Sequence, residues 1–191
     1  MLKKNVIVLG SNKTGKSTLS KIISEKHGCE IQNTKNILKS LSKVYPTDSS
    51  VGYQSFETEF LIDYINRLSS GPDFIMSKKN VIEINTTNVD EILSNIDMER
   101  NSIIGLSYGE ISVDELFKNI KSTEGEFDLT HFLSDETLKN MITEYLEKDK
   151  ELVKIYEKHN IKNFVTSNDR ENVLENINEI LSSKPNMLVL K

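Results

Sequence analysis

The sequence predicts an α/β fold of three layers, in which helices cover both faces of a five-stranded parallel sheet. Short apolar runs alternate along the chain with segments whose apolar residues recur at helical spacing. Such alternation favours a parallel sheet, because each helix carries the chain back to the edge at which the next strand begins. The first apolar run is followed at once by a loop with two glycines and then by an amphipathic segment. With 191 residues, we expect the chain to form a single domain.

The expected strands are short apolar runs bounded by polar or glycine-containing segments. They cover residues 6–9, 29–32, 81–84, 103–106 and 164–165. The expected helices cover residues 17–27, 34–43, about 56 to 70, 89–98, 113–121, 135–159 and 170–182. Gly28 is a typical C-cap for the first helix, and residues 45–52 are typical of a loop. The long helix over 135–159 carries a continuous apolar stripe.

Composition and charge exclude several classes of protein. The net charge is −5, with 24 Lys and Arg against 29 Asp and Glu and no basic block, so we expect no nucleic-acid partner. Cys29 is the single cysteine, which excludes an internal disulfide and suits a reducing compartment. No run of 18 apolar residues and no leader-like segment is present, so we expect a cytoplasmic protein without a membrane partner. The apolar tail at 187–190 is a candidate contact surface for a homodimer.

The loop after the first strand carries the motif G-x-x-x-x-G-K-[ST], which is typical of a triphosphate site between a strand and a helix. The glycines permit backbone angles that turn successive N–H groups inward, toward an anion at the positive end of the helix. Lys16 would contact the β- and γ-phosphates, the Ser17 hydroxyl would ligate Mg²⁺, and Lys13 would add positive charge. The motif comprises Gly10, Ser11, Asn12, Lys13, Thr14, Gly15, Lys16 and Ser17.

The order of elements resembles that of the P-loop kinases of the adenylate-kinase, nucleoside-kinase and shikimate-kinase type. The match is specific over residues 6–23 and extends in outline over most of the chain. The resemblance implies a P-loop NTPase fold, ATP and Mg²⁺ as cofactors, an acceptor-binding insertion over about 30–75 and a helical lid-like region over about 107–160. It also implies that Thr18 faces the α-phosphate and that Arg170 lines the nucleotide base, with a surface ion pair as the alternative for Arg170. A GTPase is less consistent with the sequence, because the guanine-reading motif Asn-Lys-x-Asp is absent.

Further candidate residues lie outside the loop. Glu83 ends the third expected strand, where a carboxylate would hold the Mg²⁺ water shell or accept a proton, unless it is a solvated strand end. Lys118 and Lys121 would replace the lid arginines that kinases of this type use, although a solvated helix face is an alternative interpretation. Arg67, or Lys35 together with Lys39, would bind an anionic acceptor, with surface ion pairs as the alternative.

Two functions are consistent with this pattern. The first is a kinase that transfers the γ-phosphoryl group of ATP·Mg²⁺ to a nucleotide, a nucleoside or another small hydroxyl or phosphate acceptor. The second is a nucleotide-binding protein that hydrolyses slowly or not at all and gates the binding of a partner. The absence of arginine from residues 107–160 favours the second.

Overall fold

The first strand of the chain lies at the centre of the sheet. The structure is a computed structural model, and it describes residues 5–44, 50–70, 79–84, 88–123 and 133–166. The strands are β1 (Asn5–Gly10), β2 (Glu30–Asn33), β3 (Asn80–Glu83), β4 (Asn101–Ser107) and β5 (Asn163–Val165). They form one five-stranded sheet in the order β2-β3-β1-β4-β5, and all four neighbouring pairs are parallel. The predicted α/β fold with a five-stranded parallel sheet is confirmed.

Helices pack on both faces of this sheet. They are α1 (Lys16–His27), α2 (Thr34–Val44), α3 (Ser50–Ser70), α4 (Val89–Asn95), α5 (Val113–Thr123) and α6 (Asp135–Lys158). The side chains of β1 alternate between two apolar cores. Ile7 and Leu9 pack in the core formed with α3, α4 and α6, whereas Val6 and Val8 pack in the core formed with α1. Burial on both faces explains why the central strands are continuous apolar runs.

Buried asparagines close the amino ends of three strands. Asn5, Asn80 and Asn101 are the first residues of β1, β3 and β4, and the parallel register places Asn5 opposite both others. The Asn5 Nδ2 donates to Asn101 Oδ1 at 2.9 Å and to Ser69 Oγ at 3.0 Å. The Asn80 Nδ2 donates to Asn5 Oδ1 at 3.1 Å. These four side chains, called the asparagine cluster below, satisfy one another where the sheet would otherwise bury unpaired polar groups.

Several expected boundaries were wrong, and the reasons are physical. Residues 50–52, expected in a loop, lie in α3, because one glycine costs a helix only about 1 kcal/mol relative to alanine. The helix α4 ends at Asn95 and not at residue 98, since the Asp97 carboxylate accepts the Glu99 N–H at 2.9 Å in a turn. The strands β3 and β4 begin before the apolar runs, because Asn80 and Asn101 are buried in the asparagine cluster.

The expected helix over 170–182, the tail at 187–190 and Arg170 lie outside the described residues. The expected insertion over 30–75 contains α2 and α3, and the lid-like region contains α5 and α6, so both remain predictions of function. No described helix is both long enough and apolar enough to cross a membrane.

Candidate phosphate-binding site

The loop between β1 and α1 has a backbone that depends on its two glycines. A Cβ on Gly10 would lie 2.5 Å from the Thr14 Oγ1, so a larger residue there would force the buried Thr14 hydroxyl to move. Gly15 has a φ of 88°, in the left-handed region, and caps the first turn of α1. The Thr14 hydroxyl donates to the Ser11 carbonyl at 2.8 Å and is buried. The loop is therefore held in a tight turn that ends at the positive end of α1.

The Lys16 ammonium group lies inside this turn. Its Nζ donates to the carbonyl oxygens of Gly10 at 2.7 Å and Ser11 at 2.8 Å, and 7% of the residue is exposed. Burial lowers the pKa of Lys16 to about 8, against the raising effect of the Glu83 and Asp149 carboxylates. Lys16 is thus mainly protonated at neutral pH, at the position where the motif places a triphosphate.

Ser17 and Glu83 meet beside the lysine. The Ser17 Oγ donates to Glu83 Oε2 at 3.1 Å, and the Asn33 Nδ2 donates to the same oxygen at 3.0 Å. The Thr34 hydroxyl donates to the Glu83 carbonyl at 2.7 Å. Glu83 is only 3% exposed, so it is not a solvated strand end. The carboxyl ends of β1 and β3 lie side by side in the register Val8 to Glu83, which brings this carboxylate to the loop.

The Ser17–Glu83 pair fits a magnesium ion. Mg²⁺ prefers oxygen ligands at about 2.0–2.1 Å and usually keeps several of its water molecules. The Ser17 Oγ and the Glu83 Oε2 lie 3.1 Å apart, so an ion bound to the hydroxyl would have the carboxylate within reach of its water ligands. Among the described residues there is no group of three or more His, Cys, Asp or Glu that could hold a metal. A dedicated cage is thus lacking in the described ranges, and Mg²⁺ here would keep several water ligands and bind the phosphates.

Two residues that sequence reasoning missed contact the loop from the opposite side. Tyr108 directly follows β4, and its N–H donates to Asp149 Oδ2 at 2.9 Å. The Tyr108 hydroxyl donates to the Asn12 carbonyl. Asp149 lies in α6 on the apolar stripe, seven residues after Ile142 and seven before Tyr156. A lone carboxylate at a stripe position was the signal that could have identified it.

The exposed members of the motif lie on the open side of the loop. Asn12, Lys13, Ser17 and Thr18 are exposed, and Lys13 has a φ of 64°. Ser11, Thr14 and Lys16 are buried beneath them. A ligand that approaches from solvent would therefore meet the exposed positions first. This arrangement agrees with the predicted roles of Ser17 and Thr18, which remain predictions.

The described contacts of the two predicted lid lysines are with residues outside the loop of residues 10–17. Lys121 pairs with Asp135 at 3.5 Å and lies over the Phe117 ring, with its Nζ 5.7 Å from the ring centroid. Lys118 is exposed on α5 and helps to lower the pKa of Asp114. The described structure brings neither lysine together with the loop.

The acceptor-side cations are also distributed over the surface. Arg67 pairs with Asp63 at 2.7 Å, and both side chains are more than half exposed, as in the surface-pair interpretation. Lys35 and Lys39 are exposed on α2. The α3 helix instead carries an aromatic row of Phe56, Phe60 and Tyr64, and the Tyr64 hydroxyl donates to Gln32 Oε1 at 2.9 Å.

The fold is similar to that of several solved shikimate kinases. The shikimate kinase of Bacteroides thetaiotaomicron is similar over 94% of this chain and 98% of its own, with a TM-score of 0.59 and 13% identity. The shikimate kinase of Aquifex aeolicus is similar over 93% and 95%, with a TM-score of 0.54 and 15% identity. That of Acinetobacter baumannii, in complex with shikimate, is similar over 94% of each chain, with a TM-score of 0.50 and 14% identity.

No protein-family model matches the sequence, and no curated protein matches it with significant similarity. The structural likeness, at 13–15% identity, concerns the fold. The chain shares the α/β fold of these shikimate kinases, and its loop of residues 10–17 follows the central strand β1.

Proposed function

We propose that this chain is a small-molecule kinase that binds ATP with Mg²⁺ on the loop of residues 10–17. The observation that carries the proposal is the meeting of Lys16, Ser17 and Glu83 at the carboxyl ends of β1 and β3. Ligands of open parallel sheets bind at this edge. A buried ammonium, a hydroxyl and a buried carboxylate are the groups that phosphoryl transfer requires around a triphosphate.

The chain's own residues would act mainly by positioning and by charge. Lys16 would exchange the Gly10 and Ser11 carbonyls for phosphate oxygens, while the loop N–H groups bind the β-phosphate. Ser17 and, through water, Glu83 would hold Mg²⁺, which neutralises charge on the β- and γ-phosphates when bound. The acceptor oxygen forms a bond to the γ-phosphorus as the bond to the β–γ bridging oxygen breaks. Glu83 would accept the proton that the acceptor hydroxyl loses.

The acceptor would lie beside Glu83, over the ends of β2 and β3. The half-buried Asn33 already presents an amide there, which donates to the Glu83 carboxylate. One of the similar kinases was solved in complex with shikimate, which makes shikimate the first acceptor to test. Nucleoside monophosphates, nucleosides and other small hydroxy acids complete the panel.

A second function is favoured by the lysines of α5. Lys121 is engaged with Asp135, and residues 107–160 contain no arginine. A chain without lid cations would bind ATP, transfer slowly and use the bound state to gate a partner. The two functions differ in one observable, which is the stimulation of ADP release by an acceptor.

Coupled ADP release across the acceptor panel tests the proposal. We expect one acceptor to increase turnover at least tenfold over the acceptor-free rate, and we expect Lys16→Ala to remove both turnover and tight ATP binding. Lys21→Ala, an exposed lysine of the same helix, is the matched control and should retain both. ATP binding without stimulation by any acceptor would favour the gating function. Tight ATP binding by Lys16→Ala would contradict the assignment of the loop.

A further inference from the structure

Asp149 is a buried carboxylate that the kinase proposal does not use. It lies in the middle of α6 and is 4% exposed. Its Oδ2 accepts the Tyr108 N–H at 2.9 Å. Within the described ranges, no group completes a hydrogen bond to Oδ1 in the required geometry, and the same holds for the Ser11 Oγ. Ser11 nevertheless lies close enough to help to lower the pKa of this carboxyl, which burial raises overall.

Such a group is costly for the fold. Burying a carboxylate with an incomplete set of hydrogen bonds opposes folding, and an apolar residue would continue the stripe of α6. Buried polar groups of this kind occur at functional sites, where local stability is lost for a specific geometry. The neighbours of Asp149 belong to the phosphate loop or contact it, so the conformation of that loop is the geometry that this carboxylate would support.

The contacts form a chain from α6 to the loop. Asp149 holds the backbone of Tyr108, and the Tyr108 hydroxyl donates to the Asn12 carbonyl. Ser11 and the Lys16 ammonium both lie close enough to Asp149 to lower the pKa of its carboxyl. The first turn of the loop is therefore bounded by Asp149 and Tyr108 on one side, while Ser17 at its far end is bonded to Glu83.

We propose that Asp149 is a positioning residue for the phosphate-binding loop, which it fixes through Tyr108 and Ser11 in the conformation that accepts a triphosphate. The inference deepens the proposed function and rests on triphosphate binding by this loop. On this proposal α6, a helix of the lid-like region, holds the phosphate loop in place from the protein interior.

The test compares Asp149→Asn with two neighbouring controls. Asparagine keeps the size of the side chain, but it weakens the hydrogen bond from the Tyr108 N–H, because a neutral amide oxygen is a poorer acceptor than a carboxylate, and it replaces the second oxygen by an N–H₂ group. We expect the affinity for ATP to fall about tenfold while the midpoint of thermal unfolding stays equal or rises. Glu147→Gln and Glu151→Gln, exposed two residues to either side, should leave both quantities unchanged. A loss of stability with unchanged ATP affinity would show a purely structural role and overturn the proposal.

Tyr108→Phe provides a second test of the proposal if the asparagine variant fails to fold. It removes the hydroxyl that donates to Asn12 and retains the buried ring. We expect weaker ATP binding, and the double variant should lose less than the product of the single losses because both act through one chain of contacts. ATP binding as tight as in the wild type would refute the proposal.

Amide hydrogen exchange separates this inference from the proposed function. In the ligand-free protein, Asp149→Asn should accelerate exchange at residues 12–15 relative to Glu147→Gln. If the wild-type chain does not bind ATP, the proposed function fails, whereas the exchange result still decides the role of Asp149. Equal exchange rates in the two variants would count against that role.

Discussion

Lys16 carries its charge in a place where the charge costs free energy. The protonated form is favoured by carbonyl oxygens and by the Glu83 and Asp149 carboxylates, but desolvation outweighs these effects and lowers the pKa to about 8. Because this pKa is below that of the unfolded chain, the unfolded state binds more protons between about pH 8 and 10.5. The contribution of Lys16 to stability therefore improves as pH rises through this window. A bound triphosphate would offset the desolvation of the Lys16 ammonium group by placing negative charge beside it.

The first prediction concerns the pH dependence of ATP binding. The protonated lysine binds phosphate, so the affinity for ATP should be constant below about pH 8 and fall as pH rises beyond it, by at most about tenfold per unit. Calorimetric titration without Mg²⁺ from pH 7 to 9.5 measures this effect. Residual binding by Lys16→Ala should lack the alkaline fall. A wild-type affinity that is constant to pH 9.5 would contradict the assigned role.

The second prediction concerns Glu83. Glu83→Gln keeps the hydrogen bond from Ser17 but removes the charge that would hold the metal. We expect the enhancement of ATP binding by Mg²⁺ to fall about 10- to 100-fold, with binding of metal-free ATP retained. Glu30→Gln, on the exposed start of β2, is the control and should change neither. Equal Mg²⁺ dependence in both variants would exclude Glu83 from the metal site.

At the scale of elements, α6 contacts α5, the loop after β1 and α4 at different points along its length. Its first turn is capped by Ser134, whose Oγ accepts the Thr137 N–H at 3.2 Å. Its middle carries Asp149, and its end carries Lys158 and His159, both paired with Asp90 at 2.7 Å. One helix thus joins α5, the phosphate loop and α4. Changes at its first turn should affect stability without reaching the site.

The third prediction is the effect of removing that cap. Ser134→Ala should lower the free energy of unfolding by about 1 kcal/mol, because an N–H of the first turn loses its acceptor. Urea denaturation measures the loss, and the affinity for ATP should be unchanged. Ser94→Ala makes the same substitution at an exposed serine whose hydroxyl bonds within α4, and it should cost less. An equal loss in both variants would argue against capping by Ser134.

The elements were predictable from sequence wherever burial and apolarity coincide. The runs at Val6 and Ile103 lie in strands, and the stripe that includes Leu138 and Tyr156 faces the core. Prediction was wrong where polar residues are buried. Asn80 and Asn101 extend their strands because they bond to Asn5, which is 75 or more residues away in the chain. Local patterns cannot reveal partners at that separation.

The candidate site was predictable to the same extent. The loop from Gly10 to Ser17 follows from its spacing, because the motif is local and the strand and helix flank it. Glu83 was identified from its place at the end of a strand, but its contact with Ser17 required the strand order. Asp149 was missed, since its neighbours Lys148 and Lys150 are charged and exposed, although its position on the apolar stripe of α6 was a local signal of burial.

On the scale of the whole molecule, a structural cluster and the candidate site lie at opposite ends of the parallel strands. The asparagine cluster closes the amino edge, and the loop with Glu83 occupies the carboxyl edge. Damage at the amino edge should therefore reduce stability and leave the site intact. The separation makes a matched pair of measurements possible on one chain.

The fourth prediction uses this separation. Asn5→Ala removes the acceptor for Asn80 and the donor to Asn101, so buried polar groups lose their partners. We expect the free energy of unfolding to fall by about 2–3 kcal/mol, with the ATP affinity of the folded protein unchanged. Asn95→Ala, an exposed asparagine bonded to the Glu91 carbonyl, is the control for the loss of an amide. An ATP affinity that falls with Asn5→Ala would show that the edges are coupled.

The central position of β1 has a consequence for biosynthesis. The ribosome makes β1 before its neighbours β3 and β4, which begin 75 and 96 residues later in the chain. Until they emerge, the nascent chain exposes an unpaired strand that is prone to aggregation. Glu83, Tyr108 and Asp149 also follow the loop that they contact by many residues. ATP would therefore act as a folding ligand only after Asp149 has emerged from the ribosome, when the loop that begins at Gly10 can contact Glu83, Tyr108 and Asp149.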